Sequence, residues 1–251
     1  MRSAMIGALA LCIVPAGCES GTGGDFGQVL GDVLGEIGTP GSQGTTSGEI
    51  TTFEIDAALR QALEIGAGRV ANQIGVVDGY WRDPQIQIPL PGRLGQVQSQ
   101  LEQVGLSGPL DDLQLRMNRA AEDAVPAGKT IIVDAVKSIT IEDAVGILRG
   151  GDTAATDFLR GRTENSLRGL FTPYVETALD SSGAYRMLDS VTSSQPMLAV
   201  AAIDYKSDLT SHAVQFGLDG LFTYLAVEEQ KIRDNPVART TDLLRKVFGS
   251  I

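Results

Sequence analysis

The run DDLQLRMNRAAEDAVPAGKTIIVDAV, residues 111–136, opens the stretch from Asp111 to Arg160, the longest in the chain in which hydrophobic period and boundary signals agree. Leu113, Met117, Ala120, Ala124, Gly128, Ile131 and Ala135 recur at steps of four and three, which sets them on one stripe of a helix. Arg116, Arg119, Glu122, Asp123, Lys129 and Asp134 fall largely off that stripe, so one face is narrow and apolar and the other charged. Ala and Gly at the contact positions let neighbouring helices come close, as a central helix packed on several sides requires. Pro126 has no amide hydrogen and crowds the preceding turn, so a kink or break is expected there.

Outward from this stretch the same signals repeat. Thr51 or Thr52, with Glu54 in the first turn, opens a helix to Ile74 that buries Ile55, Leu59, Ala62, Leu63, Gly66 and Val70 and ends at Gly75 or Gly79. Tyr80-Trp81 follows, with Trp81 expected to anchor the loop, and then Ile86 to Gly92, whose two prolines and alternation predict an extended surface segment. Arg93 to Val104 reads as a short helix stopped by Gly105. Beyond the central stretch, Thr140 to Asp143 has the form of a capping box opening a helix to Arg149. Asp152 is expected to cap a further helix, with a new one after Gly161 running from about Glu164 to Leu179 and interrupted at Thr172-Pro173. The stretch from Ala184 to Ala202 is irregular around Pro196. Asp208 to Asp234 then predicts a long helix with Val214, Leu218, Leu221, Leu225 and Ile232 inward, and Thr240 or Thr241 begins a last one ending at Phe248. No run alternates convincingly as strand, which predicts a single all-α, multi-helix domain over residues 49–251.

Residues 1–17 read as a signal peptide: Arg2 supplies the positive start, and Ala4 to Val14 is apolar but too short to span a bilayer. Pro15-Ala16-Gly17-Cys18 resembles a lipoprotein cleavage site, with Cys18 the lipidated residue, although Pro15 stands where a large aliphatic residue is usual. Residues 18–48 form an acidic tether that holds ten of the thirty glycines and no basic residue. As a flexible coil it would span on the order of 30 Å. Within it, Phe26, Val29, Leu30, Val33, Leu34 and Ile37 trace a helical stripe beside glycines at every fourth place, a helix expected to be marginal alone. Glu19, in place of an Asp after Cys18, points by the enterobacterial sorting rule to the outer membrane and a periplasmic body.

Net charge is −11, and no Lys/Arg cluster interleaves with aromatics, which disfavours nucleic-acid binding. The segment ending Gly128-Lys129-Thr130 lacks the Gly at 123 and the preceding strand that a phosphate-binding loop needs. His212 is the sole histidine, so no two-histidine metal motif exists, and its place near a helix start suits a partly exposed surface residue. No metal ligand set, cofactor motif or catalytic residue is assigned. The remaining chemistry is carboxylate: Glu228 and Glu229 fill a gap in the last long stripe, with Arg233 four residues on, while Arg119 precedes Glu122 by three. Asn118, Arg119, Glu122, Glu229 and Arg233 are therefore the candidate interhelical polar network, with a register-fixing role favoured over acid–base catalysis. Paired carboxylates could also hydrolyse a glycan if their separation allowed it.

Ile88-Pro89-Leu90-Pro91, Met117-Asn118-Arg119-Ala120-Ala121-Glu122, Asp143-Ala144 with Ile147-Leu148 and Gly150, Phe171 with Pro173, Leu218-Asp219-Gly220-Leu221-Phe222, Glu228-Glu229, and Ile232-Arg233 with Pro236 together resemble a family of bacterial envelope proteins. That family is catalogued only as a domain of unknown function and often carries a lipoprotein leader. The resemblance runs from about Thr51 to Phe248 and implies an envelope setting without an activity. Anchor, tether and missing catalytic constellations lead to the expectation of a non-catalytic periplasmic lipoprotein, membrane-bound through its lipid, whose helical body binds or positions an envelope protein. The alternative is a carrier of a small apolar or amphiphilic molecule between the helices.

Overall fold

A computed structural model describes residues 50–183, 185–186, 205–235 and 238–248. The leader, Cys18, the tether with its Phe26 to Ile37 stripe, and nearly all of the stretch around Pro196 lie outside the described residues. Seven helices follow in order: α1 (Thr52–Ile74), α2 (Gly92–Glu102), α3 (Gly108–Lys137), α4 (Ile141–Arg149), α5 (Ala154–Ser181), α6 (Tyr205–Asp234) and α7 (Asp242–Phe248). No strand occurs among the described residues, and the fold is all-α. α3 lies against α5, α1 and α6; α5 also lies along α6, and α1 is covered by α6, α4 and α7. No helix among the described residues is long and apolar enough to cross a membrane.

The local signals account for several ends. Thr51 and Glu54 form a capping box before α1, and Gly75 closes it. Thr140 and Asp143 do the same for α4. The C-terminus of α3 is met by a residue far away in sequence: Arg60, paired to Asp56 at 2.9 Å, donates to the carbonyls of Val136, Lys137 and Ile139. A guanidinium there satisfies orphan carbonyls and complements the negative end of the helix dipole.

Three expected breaks are absent. α3 passes through Pro126 and α5 passes through both Gly161 and Pro173. All three residues face outward, so a missing amide or side chain disturbs only the solvent side while the buried side stays continuous. That buried side also differs from the expected stripe. Beyond Gly128 it continues through Ile132 and Val136, with Ile131 and Ala135 only half-buried. The neighbour explains the shift, because α5 buries Ala155, Leu159, Thr163, Leu167, Phe171, Val175 and Leu179, every step being four. Ridges of fours on one helix seat in grooves between fours on the other, and the step of three gives way. At the contact a Cβ on Gly128 would meet Leu167 at 3.2 Å and Phe171 at 3.3 Å.

The loop between α1 and α2 is anchored by Tyr80 rather than Trp81. Tyr80 is fully buried and its hydroxyl donates to Gly217 O at 2.7 Å, whereas Trp81 is half-buried. The ring lies over α6 at Gly220, where a Cβ would stand 2.7 Å from Tyr80 Cε1 and 3.0 Å from Ile86 Cβ. Alanine favours a helix over glycine by about 1 kcal/mol, but overpacking of this kind costs about 1–3 kcal/mol. Gly220→Ala is therefore expected to destabilise the protein, read as a lowered urea midpoint with an unchanged slope.

Candidate functional site

Asn118, Arg119 and Glu122 lie within two turns of α3 and act together on the loop after α1. Ile86, Ile88 and Leu90 are buried while Pro89 is exposed, the alternation of an extended strand without a sheet. Asn118 takes the place of the missing neighbour strand: its Oδ1 accepts from Ile88 N at 2.8 Å and its Nδ2 donates to Ile88 O at 3.0 Å. One turn on, Glu122 is 2% exposed. Its Oε1 accepts from the amides of Tyr80 (3.0 Å) and Trp81 (3.1 Å), and its Oε2 accepts from Asp78 N (3.2 Å) and Arg119 Nη1 (2.6 Å). Arg119 also reaches Asp78 Oδ1 at 2.5 Å. Asp78 holds φ at +71°, the left-handed region that carbonyl-like side chains tolerate best, and this turn aims the amides of Asp78, Tyr80 and Trp81 at one carboxylate.

Glu229 and Arg233 sit in a different set of contacts. Glu229 accepts from Ala155 N (3.0 Å), Thr156 N (2.8 Å) and Thr156 Oγ1 (2.8 Å), so it caps α5 from across the interface. Asp152 is exposed, and Thr153 precedes the helix without a side-chain cap bond; the expected local cap is thus replaced by one from α6. Arg233 pairs with Glu229 at 2.8 Å and donates to Ile147 O at 3.0 Å, tying the end of α4 to the start of α5. Glu228 is equally buried, held by Lys231 at 2.6 Å and Arg69 at 3.4 Å. The five candidate residues therefore form two clamps. Among the described residues no hydrogen bond or ion pair joins the Asn118, Arg119 and Glu122 set to the Glu229 and Arg233 set.

Every oxygen of Glu122 and Glu229 is occupied by a donor from the protein itself, the arrangement of a structural clamp and not of a general acid or base waiting for substrate. Neither lines either of two open grooves formed by the described residues. One groove, about 740 Å³, runs between α3 and α5 and is lined by Asp112, Leu115, Arg116, Arg119 and Asp123 from α3 and by Tyr174 from α5. The other, also about 740 Å³, lies between α5 and the start of α6 and is lined by Arg168, Glu176, Asp180, Lys206 and Thr210. Arg119 belongs both to the loop clamp and to the first groove. His212 is half-buried, its Nε2 is 2.8 Å from Pro89 O, and its ring lies 4.4 Å from that of Phe216. That contact pins the extended loop to α6.

A titrating contact holds the same loop. Tyr224 of α6 donates its hydroxyl to Asp83, and this bond, helped by burial, pushes the phenol up to about 12. The folded value lies above the unfolded one, about 10, so the stabilisation is complete below pH about 10 and is lost as pH rises through 12. Tyr224→Phe is expected to flatten the decline in stability between those pH values, measured by denaturant unfolding at a series of alkaline pH.

No curated protein and no solved structure matches the chain. Residues 49–249, which contain both clamps and both grooves, match a family described as protein of unknown function (DUF4197), and the chain belongs to that family.

Proposed function

We propose that this protein is a lipid-anchored bacterial envelope protein, held through Cys18 on the periplasmic side of the outer membrane, whose helical body is a non-catalytic platform for an envelope partner. The observation that carries the reading is the distribution of its charges. Glu122, Glu228 and Glu229 are buried and turned onto backbone amides or cationic side chains of the body. The α3 side of the α3–α5 groove instead carries Asp112, Arg116, Arg119 and Asp123 together with Leu115, and the α5 side carries Pro173 and Tyr174. Large apolar groups and arginines in one open groove are the composition of a protein-binding patch. The carrier reading rests on the small-residue stripe of α3 and the many aliphatics; at Gly128 that stripe is in close helix–helix contact with Leu167 and Phe171, which favours the platform.

The test uses the chain with its own leader and a photo-crosslinking residue in place of Tyr174, compared with one in place of Glu142, which does not line the groove. A discrete protein adduct from position 174 alone, lost with Arg116→Glu, is the expected result. A small-molecule adduct at 174 would return the carrier, and no adduct would sink the platform. Intact mass and detergent partition beside Cys18→Ser read the anchor separately. A lipid-sized increment lost in the variant is expected, and a bare mature mass in the soluble fraction would remove the anchor.

A further inference from the structure

The α3–α5 groove is built from the flanks of two helices. α3 contributes Asp112, Leu115, Arg116, Arg119, Ala120 and Asp123, spaced by three and one in turn, which is one continuous helical face. From the first of these to the last the rise is about 16 Å, the length of three turns. α5 supplies Pro173, Tyr174 and Ala178 and no charge. Every charge among the described lining residues therefore stands in one row on α3, with Asp112 negative, Arg116 and Arg119 positive and Asp123 negative. Two members of the row have capacity to spare. Arg116 uses only its Nε, on Asp112 at 2.8 Å, and Asp123 makes no hydrogen bond or ion pair with a described residue.

We propose that the partner seated in this groove is an amphipathic helix of about three turns, its facing side acidic in the middle, basic at both ends and furnished with a large apolar side chain. The proposal rests on the platform reading and names the platform's occupant. Shape selects a helix. A cleft three turns long between two helix flanks seats a third helix, whereas an extended peptide needs a sheet edge, and no strand occurs among the described residues. The short side chains of Ala120 and Ala178, one from each wall, leave room beside Leu115 and Tyr174 for the apolar group. Charge selects the pattern. An acidic middle meets the unspent Nη groups of Arg116 and the guanidinium of Arg119, and a basic residue one turn on gives Asp123 the counter-charge it lacks. A second copy of this chain is disfavoured by the same row. Where two such rows overlap fully, an antiparallel pair sets Asp112 against Asp123 and Arg116 against Arg119, and a parallel pair sets each charge against itself. Like then meets like along the whole contact.

The probes are two synthetic helical peptides of about 14 residues, enough for the three turns and their ends. They share one leucine stripe and differ only in the facing charges: lysine, glutamate, glutamate, lysine at steps of four, three and four in the first, and the signs exchanged in the second. Binding to the full chain carrying Cys12→Ser and Cys18→Ser is followed by fluorescence anisotropy. The acidic-middle peptide is expected to bind tighter by about ten-fold or more, and Arg116→Glu or Asp123→Lys to weaken it by about ten-fold. The two substitutions together leave two matched and two opposed charges for either peptide, so the preference should vanish. Asp123 is exposed and Arg116 pairs only with exposed Asp112, so each variant should melt near wild type. Equal binding of the two peptides by the unaltered chain, a preference for the exchanged one, or no binding of either would overturn the proposal, as would a photo-adduct at position 174 that joins two copies of this chain. The crosslink also tells the two readings apart. A partner adduct at 174 beside equal peptide binding keeps the platform and removes the helix, whereas selective peptide binding without an adduct removes the platform and keeps the groove's charge preference.

Discussion

Replacing Glu122 by alanine is expected to lower the unfolding free energy by about 3–5 kcal/mol, the range for removing one member of a buried ion pair. The substitution orphans more than Arg119. Amides of Asp78, Tyr80 and Trp81 all donate to this one carboxylate, and no other acceptor for them is in place. Water can reach the half-buried Trp81 amide but not that of Tyr80, whose side chain is sealed under α6. For a body of this size the loss corresponds to a melting point lower by about 6–20 °C. Glu122→Gln separates charge from shape: one oxygen remains for two amides, while the new NH₂ faces a third amide or the guanidinium, donor against donor. It should fall between wild type and Glu122→Ala. Trp81 is the only tryptophan, and its own amide is one of the three, so its emission reports release of the loop directly. A red shift in native buffer is expected for the alanine variant. A loss below about 1 kcal/mol with unshifted emission would show that the turn at Asp78 holds itself.

The contrast between what could and could not be read from the chain lies in the range of the contacts. The caps at Thr51 and Thr140 and the stripe on α6 depend on residues three or four apart, and sequence displays those spacings; of Glu228 and Glu229 one was expected inward, and both are buried. The continuity of α3 through Pro126 and of α5 through Gly161 depends instead on which side the residue faces, and that is decided by the neighbour. The cap of α5 was out of reach for a similar reason. Its acceptor lies on α6, 73 residues beyond Thr156, and the nearby Asp152 offers a plausible but unused alternative. Asn118, Arg119, Glu122, Glu229 and Arg233 were identifiable as polar residues at helical spacing, but Glu122, expected on the charged face of α3, is buried because the loop after α1 covers it. Their division into two clamps was not identifiable, because the partners of the first set are backbone amides of a loop, and an amide has no sequence signature. Tyr80 displaces Trp81 as the anchor because Gly220 leaves the space its ring occupies and Gly217 O accepts its hydroxyl, contacts 137 residues or more along the chain.

That division yields the second large effect. Glu229→Ala strips the N-terminus of α5 of its acceptor and leaves Arg233, 14% exposed at its side chain, without its carboxylate. Loss of a cap costs about 0.5–2 kcal/mol, and a buried cation left unpaired brings the total to about 3–5 kcal/mol. Arg233→Met in the same background should recover part of that loss, because the orphaned charge is removed and the aliphatic stem is kept. The cost should also localise: amides at Ala155 and Thr156 lose hydrogen-exchange protection, whereas those at Tyr80 and Trp81 keep theirs. The decisive quantity is the double variant. Glu122 and Glu229 share no partner, so their effects, measured with the milder Glu122→Gln and Glu229→Gln, should add to within about 0.5 kcal/mol. A coupling of 1 kcal/mol or more would mean that the loop and the α4–α5 corner respond to each other through α6. The two clamps would then be one network after all, running from the groove wall at Arg119 to the far end of the bundle.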